Sequence, residues 1–244
     1  MTGATSPAAP RDGLRLPAGG RFGRLHLITD TRPGRDPIPV VEAALAAGVR
    51  TIQVRPEDHL TDREAYQLTL RVLELCTRYD AVCLVNDRLH VAVAAGAHGG
   101  HVGADDLPVV AARRVLGESA VLGATARDPD TGTAHVAAGA SYLGVGPAYA
   151  TATKDGLPAA IGVEGVAAVA RAVPVPVIAI GGITADRAAA LIAAGAYGVA
   201  VVSAISEAAE PYDATVRLLR AIEAAARAPD DGRAEGGGAA AGAA

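Results

Sequence analysis

Tryptophan is absent from this chain, and phenylalanine and methionine occur once each. So few large rings leave little for nucleobases to stack on, and a net charge of -4 supplies no basic stripe. Nucleic acid is therefore set aside as a partner. Cysteine is scarce as well. Cys76 and Cys83 have no metal-ligand pattern around them and are expected to be buried free thiols at a helix end and a strand start. No apolar run approaches the ~20 residues needed to cross a bilayer. The N-terminus lacks the apolar centre of a secretory signal. A soluble cytoplasmic protein is the expectation.

What the chain does have is apolar residues, which make up half of its 244 positions. That is enough for one sizeable core. Short apolar β segments are expected at 25–29, 51–54, 82–86, 99–102, 120–124, 142–145, 177–180 and 198–202, each followed by a helical stretch. Eight such units predict a parallel sheet closed into a single (β/α)8 TIM barrel. An open doubly wound sheet would want a GxGxxG turn after the first strand, and Asp30-Thr31-Arg32-Pro33 is not one. The repeated AAG tripeptides at helix ends are C-cap signals. Residues 1–21 and 228–244 are rich in Ala, Gly and Pro and are expected to be disordered arms around a barrel spanning 22–227.

In a barrel of this kind the site lies at the C-terminal ends of the strands. Those ends carry Gln53 and Arg55, then Asn86-Asp87, Asp105-Asp106, Thr125 with Arg127, Gly181-Gly182, and Val202-Ser203. The sixth strand runs into a Gly-Pro break followed by Thr151, Thr153 and Lys154, a loop suited to a phosphorylated ligand. Each feature has a plain structural reading. Asn86-Asp87 could cap a helix, and Asp105-Asp106 could form a turn before Pro108. Their shared rim favours function. Asp87 and Asp106 suit Mg²⁺, which takes one or two carboxylates plus phosphate oxygens. Two phosphorylated groups and one metal fit a two-substrate reaction that releases diphosphate.

The segments QVR (53–55), VNDR (85–88), HVGADDLP (101–108), GVGPAYATATKDG (144–156), AIGGI (179–183) and AVVSAI (200–205) occur in that order. Together they resemble the thiamine-phosphate synthase and thiazole tautomerase superfamily over about 25–219. The resemblance implies condensation of hydroxymethylpyrimidine diphosphate with thiazole phosphate to thiamine phosphate and diphosphate. In that chemistry the C–O bond breaks first, and the thiazole nitrogen captures the resulting cation. It further implies Mg²⁺ held by Asp87 and Asp106, with Arg55, Asn86 and Lys154 on the departing diphosphate. Gln53 would orient the pyrimidine, and Thr125 would stand at the family's diphosphate-contacting serine. Thr151, Thr153, Gly182, Val202 and Ser203 would hold the thiazole phosphate. The implied partners are small molecules, and the sequence leaves room for a homo-oligomer. No general base is needed at the thiazole nitrogen, and no histidine is expected on the rim.

Three positions depart from the family pattern. Glu57 replaces a lysine, Ala104 a glutamine, and Arg127 a histidine. The expectation is one charge exchange, in which Arg127 on a neighbouring strand end supplies the missing cation, helps bind the diphosphate and pairs with Glu57. A tautomerase-like isomerase and a barrel that only binds a thiamine precursor are the alternatives.

Overall fold

The computed structural model describes residues 22–151 and 158–228. Each strand is short and almost wholly buried, as expected of strands lying between a barrel interior and a coat of helices, with only Asn86, Thr125 and Ile180 part-exposed. The order is β1 (Leu25–Ile28), α1 (Ile38–Ala47), β2 (Thr51–Val54), α2 (Asp62–Arg78), β3 (Val82–Asn86), α3 (Leu89–Ala95), β4 (Gly99–Val102), α4 (Val109–Leu116) and β5 (Val121–Ala126). It continues with α5 (Pro129–Ala137), β6 (Tyr142–Val145), α6 (Gly162–Ala172), β7 (Val177–Ile180), α7 (Ala185–Ala193), β8 (Gly198–Val201), α8 (Ser203–Ser206) and α9 (Pro211–Arg227). Every neighbouring strand pair is parallel, and β8 returns to β1, so the sheet closes. The expected (β/α)8 barrel is the observed one.

Side-chain alternation along each strand splits the core in two. Leu25, Leu27, Ile52, Leu122, Leu143 and Val199 face outward against helix residues such as Val41, Leu45, Val72 and Leu191. Ile28, Leu84, Val121, Tyr142, Ile178 and Ala200 face inward and pack with Phe22, the chain's single phenylalanine. Phe22 precedes β1 and meets the His26 ring edge-on at 4.6 Å and the Tyr142 ring at 5.0 Å. It closes the end of the barrel opposite the strand C-termini.

Local signals account for the helices. Thr61 and Glu64 form a reciprocal capping box that starts α2. Gly48 and Gly96 end α1 and α3 in the left-handed conformation, as the AAG pattern implies. Helix α5 starts earlier than its weak periodicity suggests. Pro129 occupies its first turn, and Asp128 accepts from Thr131 N at 2.8 Å. The one-turn α8 was not expected from the sequence. Cys76 and Cys83 are buried and free, as expected. The arm 1–21 and the tail 228–244, apart from Ala228, lie outside the described residues. Among the described residues no helix is long and apolar enough to cross a membrane.

Candidate active site

A cavity of about 420 Å³ opens at the C-terminal ends of the strands. Gln53, Arg55, Asn86, Asp87, Asp106, Thr125, Arg127, Thr151, Gly182, Val202 and Ser203 all line it. These are all the sequence-predicted site residues that are described. Thr153 and Lys154 lie outside the described residues.

Arg55 owes its position to β1. Thr29 Oγ1 accepts from Arg55 N at 2.9 Å, and Thr31 Oγ1 donates to Arg55 O at 2.8 Å while accepting from Glu57 N at 3.0 Å. The Arg55 guanidinium then meets its own near neighbour, with Nη1 3.3 Å from Glu57 Oε1. This corrects the expected Glu57–Arg127 pair. Closure in simple order places β2 and β5 three strands apart, not side by side. Arg127 instead donates from Nη2 to Ala159 O. Its Nε is buried and has no hydrogen-bond partner among the described residues.

Asn86 and Asp87 are consecutive, so a regular strand would send them to opposite faces. Both line the cavity because Asp87 has φ 60, a left-handed conformation that Asp tolerates better than most residues. The kink is fixed by Asp87 N on His101 O at 2.9 Å and Leu89 N on Asp87 O at 2.9 Å. The N-cap of α3 is Arg88, which makes no side-chain cap bond. Arg88 instead bridges Asp62 at 3.1 Å and Glu57 O at 3.2 Å, tying the β3 end to the β2 loop. On the adjoining β4 loop, Asp106 Oδ2 accepts from Gly103 N at 2.7 Å. The turn reading of Asp106 therefore holds alongside its place on the cavity wall.

On the far side, Gly181 and Gly182 have φ 100 and φ 61. A side chain at Gly182 would also run into Ala150 O, so these glycines let the β7 loop lie against the β6 loop. Ser203 opens α8 directly after β8. Beside it, Arg32 joins β1 to the end of α8. It grips buried Asp30 through both oxygens at 2.8 and 2.7 Å and reaches Glu207 at 2.7 Å. Those bonds hold the Asp30 carboxyl below the usual carboxylate range.

The sequence did not point to the polar rings in the cavity wall. His101 and Tyr142 both line the cavity, with His101 Nδ1 3.0 Å from Tyr142 Oη. Burial pushes His101 down to about 4 and keeps it neutral at physiological pH. A histidine thus faces the site after all, one layer below the rim. Asp30 and Arg32 are a second pair that the sequence reading did not join.

The sequence profile of the thiamine monophosphate synthase family matches residues 25–205. The chain belongs to this family. Thiamine-phosphate synthase of Salinispora tropica is 66% identical over 204 residues, covering 82% of this chain and 98% of that protein. The Chloroflexus aurantiacus thiamine-phosphate synthase is 42% identical over 201 residues, covering 82% and 92%. Among solved structures, thiamine phosphate pyrophosphorylase from Pyrococcus furiosus superposes with a TM-score of 0.76 at 32% identity, covering 83% of this chain and 96% of that one. The thiamine monophosphate synthase profile ends at residue 205, just after the Val202-Ser203 segment, so the family match takes in the strand ends that build the cavity.

Proposed function

We propose that this cavity condenses hydroxymethylpyrimidine diphosphate with thiazole phosphate, giving thiamine phosphate and diphosphate. The observation that carries the reading is the convergence of the described site residues, from seven strand ends, on one cavity. Family membership and the relatives' activity make it concrete.

A divalent metal fits the donor set. Asp87 and Asp106 are two carboxylates that line the cavity beside Asp105, and among the described residues no group of three His, Cys, Asp or Glu side chains is placed to hold a metal. Mg²⁺ needs no more than that, since phosphate oxygens and water complete its shell. Asp106 Oδ1 makes no hydrogen bond among the described residues, which leaves an oxygen for the ion. When bound, Mg²⁺ would neutralise charge on the diphosphate leaving group.

The chain's own groups do the rest. Arg55, Asn86, Arg127 and Lys154 would surround the diphosphate, and their donors gain strength as charge builds on the departing oxygen. The C–O bond breaks, the electron pair leaves with diphosphate, and the thiazole nitrogen supplies the pair for the new C–N bond. Gln53 would orient the pyrimidine from the floor. Thr151, Thr153, Gly182, Val202 and Ser203, separated in the chain but sharing one rim, would hold the thiazole phosphate. No residue is asked to take a proton from the thiazole nitrogen, and His101, neutral and doubly engaged, is not placed to do so. We place the reaction in the cytoplasm, with small molecules as partners.

The test is formation of thiamine phosphate from both substrates with Mg²⁺, with each omitted in turn. A tautomerase would change a thiazole alone, and a binding barrel would convert neither. Thiamine phosphate formed only in the complete mixture supports the synthase.

A further inference from the structure

Three side chains form a continuous hydrogen-bonded chain across the cavity floor, and Gln53 adjoins one end of it. Gln53 on β2 interacts with the Tyr142 hydroxyl on β6. Tyr142 Oη lies 3.0 Å from His101 Nδ1 on β4, and His101 Nε2 lies 3.0 Å from Thr125 Oγ1 on β5. Gln53, Tyr142 and His101 are buried, so water does not compete for these bonds. The space is built for them. Gly123 sits in register between His101 and Tyr142, and a side chain there would collide with both rings. Gly144 likewise leaves room for the far edge of His101.

Burial keeps His101 neutral, with its pKa near 4, and raises that of the Tyr142 phenol, so both keep their ordinary protons near neutral pH. A neutral imidazole has one donor and one acceptor nitrogen. With Gln53 paired to Tyr142 and each proton used along the chain, two arrangements follow. In one, the Gln53 amide donates to Tyr142, Tyr142 donates to Nδ1, and Nε2–H donates to Thr125. The Thr125 proton is then left for a ligand, and Gln53 shows its carbonyl oxygen. In the other, every bond reverses. Thr125 spends its proton on Nε2, and Gln53 shows its NH₂ group.

We propose that Gln53, Tyr142, His101 and Thr125 act as one directional relay, set in the first arrangement by the two ends of the pyrimidine diphosphate. A phosphate oxygen accepts only, so it selects the Thr125 donor. The exocyclic amino group of the pyrimidine donates, so it selects the Gln53 carbonyl. The relay makes each choice reinforce the other across the floor. His101 and Tyr142 are positioning residues that act through Thr125 and Gln53. The inference rests on the proposed condensation for its ligand, but its direction is readable without turnover.

The experiment is long-range ¹H–¹⁵N NMR of the histidine rings in the full chain, with His101 assigned from the loss of its signals in His101→Asn. With inorganic diphosphate as the probe, the relay predicts the Nε2–H tautomer at His101. Tyr142→Phe keeps the ring packed against Phe22 and removes the hydroxyl. In it, His101 should become a mixture of tautomers, and kcat/KM for the pyrimidine diphosphate should fall about tenfold, the scale of one buried hydrogen bond. KM for thiazole phosphate should not change. An Nδ1–H tautomer in the wild-type diphosphate complex overturns the relay. So does a Tyr142→Phe protein with unchanged tautomer and kinetics. A protein that shows the Nε2–H tautomer but makes no thiamine phosphate would overturn the proposed function and leave the relay standing.

Discussion

Arg55 and Glu57, two positions apart beyond β2, form an ion pair with Nη1 3.3 Å from Oε1. Both side chains are largely covered, Glu57 the less so at 29% exposure. The carboxylate thus occupies the guanidinium that the diphosphate is proposed to need. A partly exposed pair contributes roughly 0.5–1 kcal/mol. Glu57→Gln should therefore lower KM for the pyrimidine diphosphate by about two- to fivefold, because Arg55 no longer has to release a partner. Steady-state kinetics with thiazole phosphate saturating measures this. A raised KM would show that Glu57 positions Arg55 rather than competing for it.

Arg127 lines the cavity on the opposite side and is bonded to Ala159 O. Its charge and its unpaired Nε favour an anion there. Arg127→Ala should weaken pyrimidine diphosphate binding by roughly 1.5–3 kcal/mol, the range for a charged hydrogen bond, with thiazole phosphate binding spared. Adding Glu57→Lys should not restore the loss, since β2 and β5 are three strands apart. Calorimetric titration of each variant with the pyrimidine diphosphate decides the matter, and restoration in the double variant would revive the charge exchange.

The barrel was legible because apolar runs buried on both faces alternate with helical stretches, and glycines mark where α1 and α3 stop. The rim was legible too, because polar residues such as Asn86, Asp106 and Ser203 stand where apolar strands end. The Glu57–Arg127 pair was misread because pairing them treats β2 and β5 as neighbours, although the strand order of the predicted barrel already sets them three strands apart. The His101–Tyr142 contact was missed for a different reason. It spans β4 to β6 across a glycine of β5, and nothing in HVGADDLP or YLGVGP shows that both rings turn inward at the same height. Helix α8 is a single turn, too short for any periodic signal.

Asp87→Asn and Asp106→Asn each remove one of the two carboxylate charges on the proposed metal side of the cavity. Asparagine can still accept from Gly103 N, so Asp106→Asn should fold normally. Each variant should require about tenfold or more Mg²⁺ for half-maximal rate, with melting temperatures within a few degrees of the parent. Titrating Mg²⁺ against initial rate checks this. Unchanged Mg²⁺ dependence in both variants removes these residues from the metal site.

Buried His101 and His26 have pKa values pushed down to about 4 and about 3, chiefly by burial. In the unfolded chain both sit near 6.5. Between those values the unfolded chain binds protons that the folded barrel refuses, so stability falls as pH drops. It should be fully present above about pH 6.5 and decline towards pH 4, by up to about 1.4 kcal/mol per pH unit for each histidine. Denaturant unfolding at a series of pH values reads the slope. His26→Asn should flatten it, and a slope unchanged by that substitution would place the lost protons elsewhere.

If one cavity joins two phosphorylated substrates with loss of diphosphate, the two products must appear in equal amounts. The purified protein is mixed with hydroxymethylpyrimidine diphosphate, thiazole phosphate and Mg²⁺, and diphosphate and thiamine phosphate are measured in the same samples. Both should appear together, one for one, and omitting thiazole phosphate should abolish thiamine phosphate. Absence of both products in the complete mixture, with the protein folded and Mg²⁺ in excess, would contradict it.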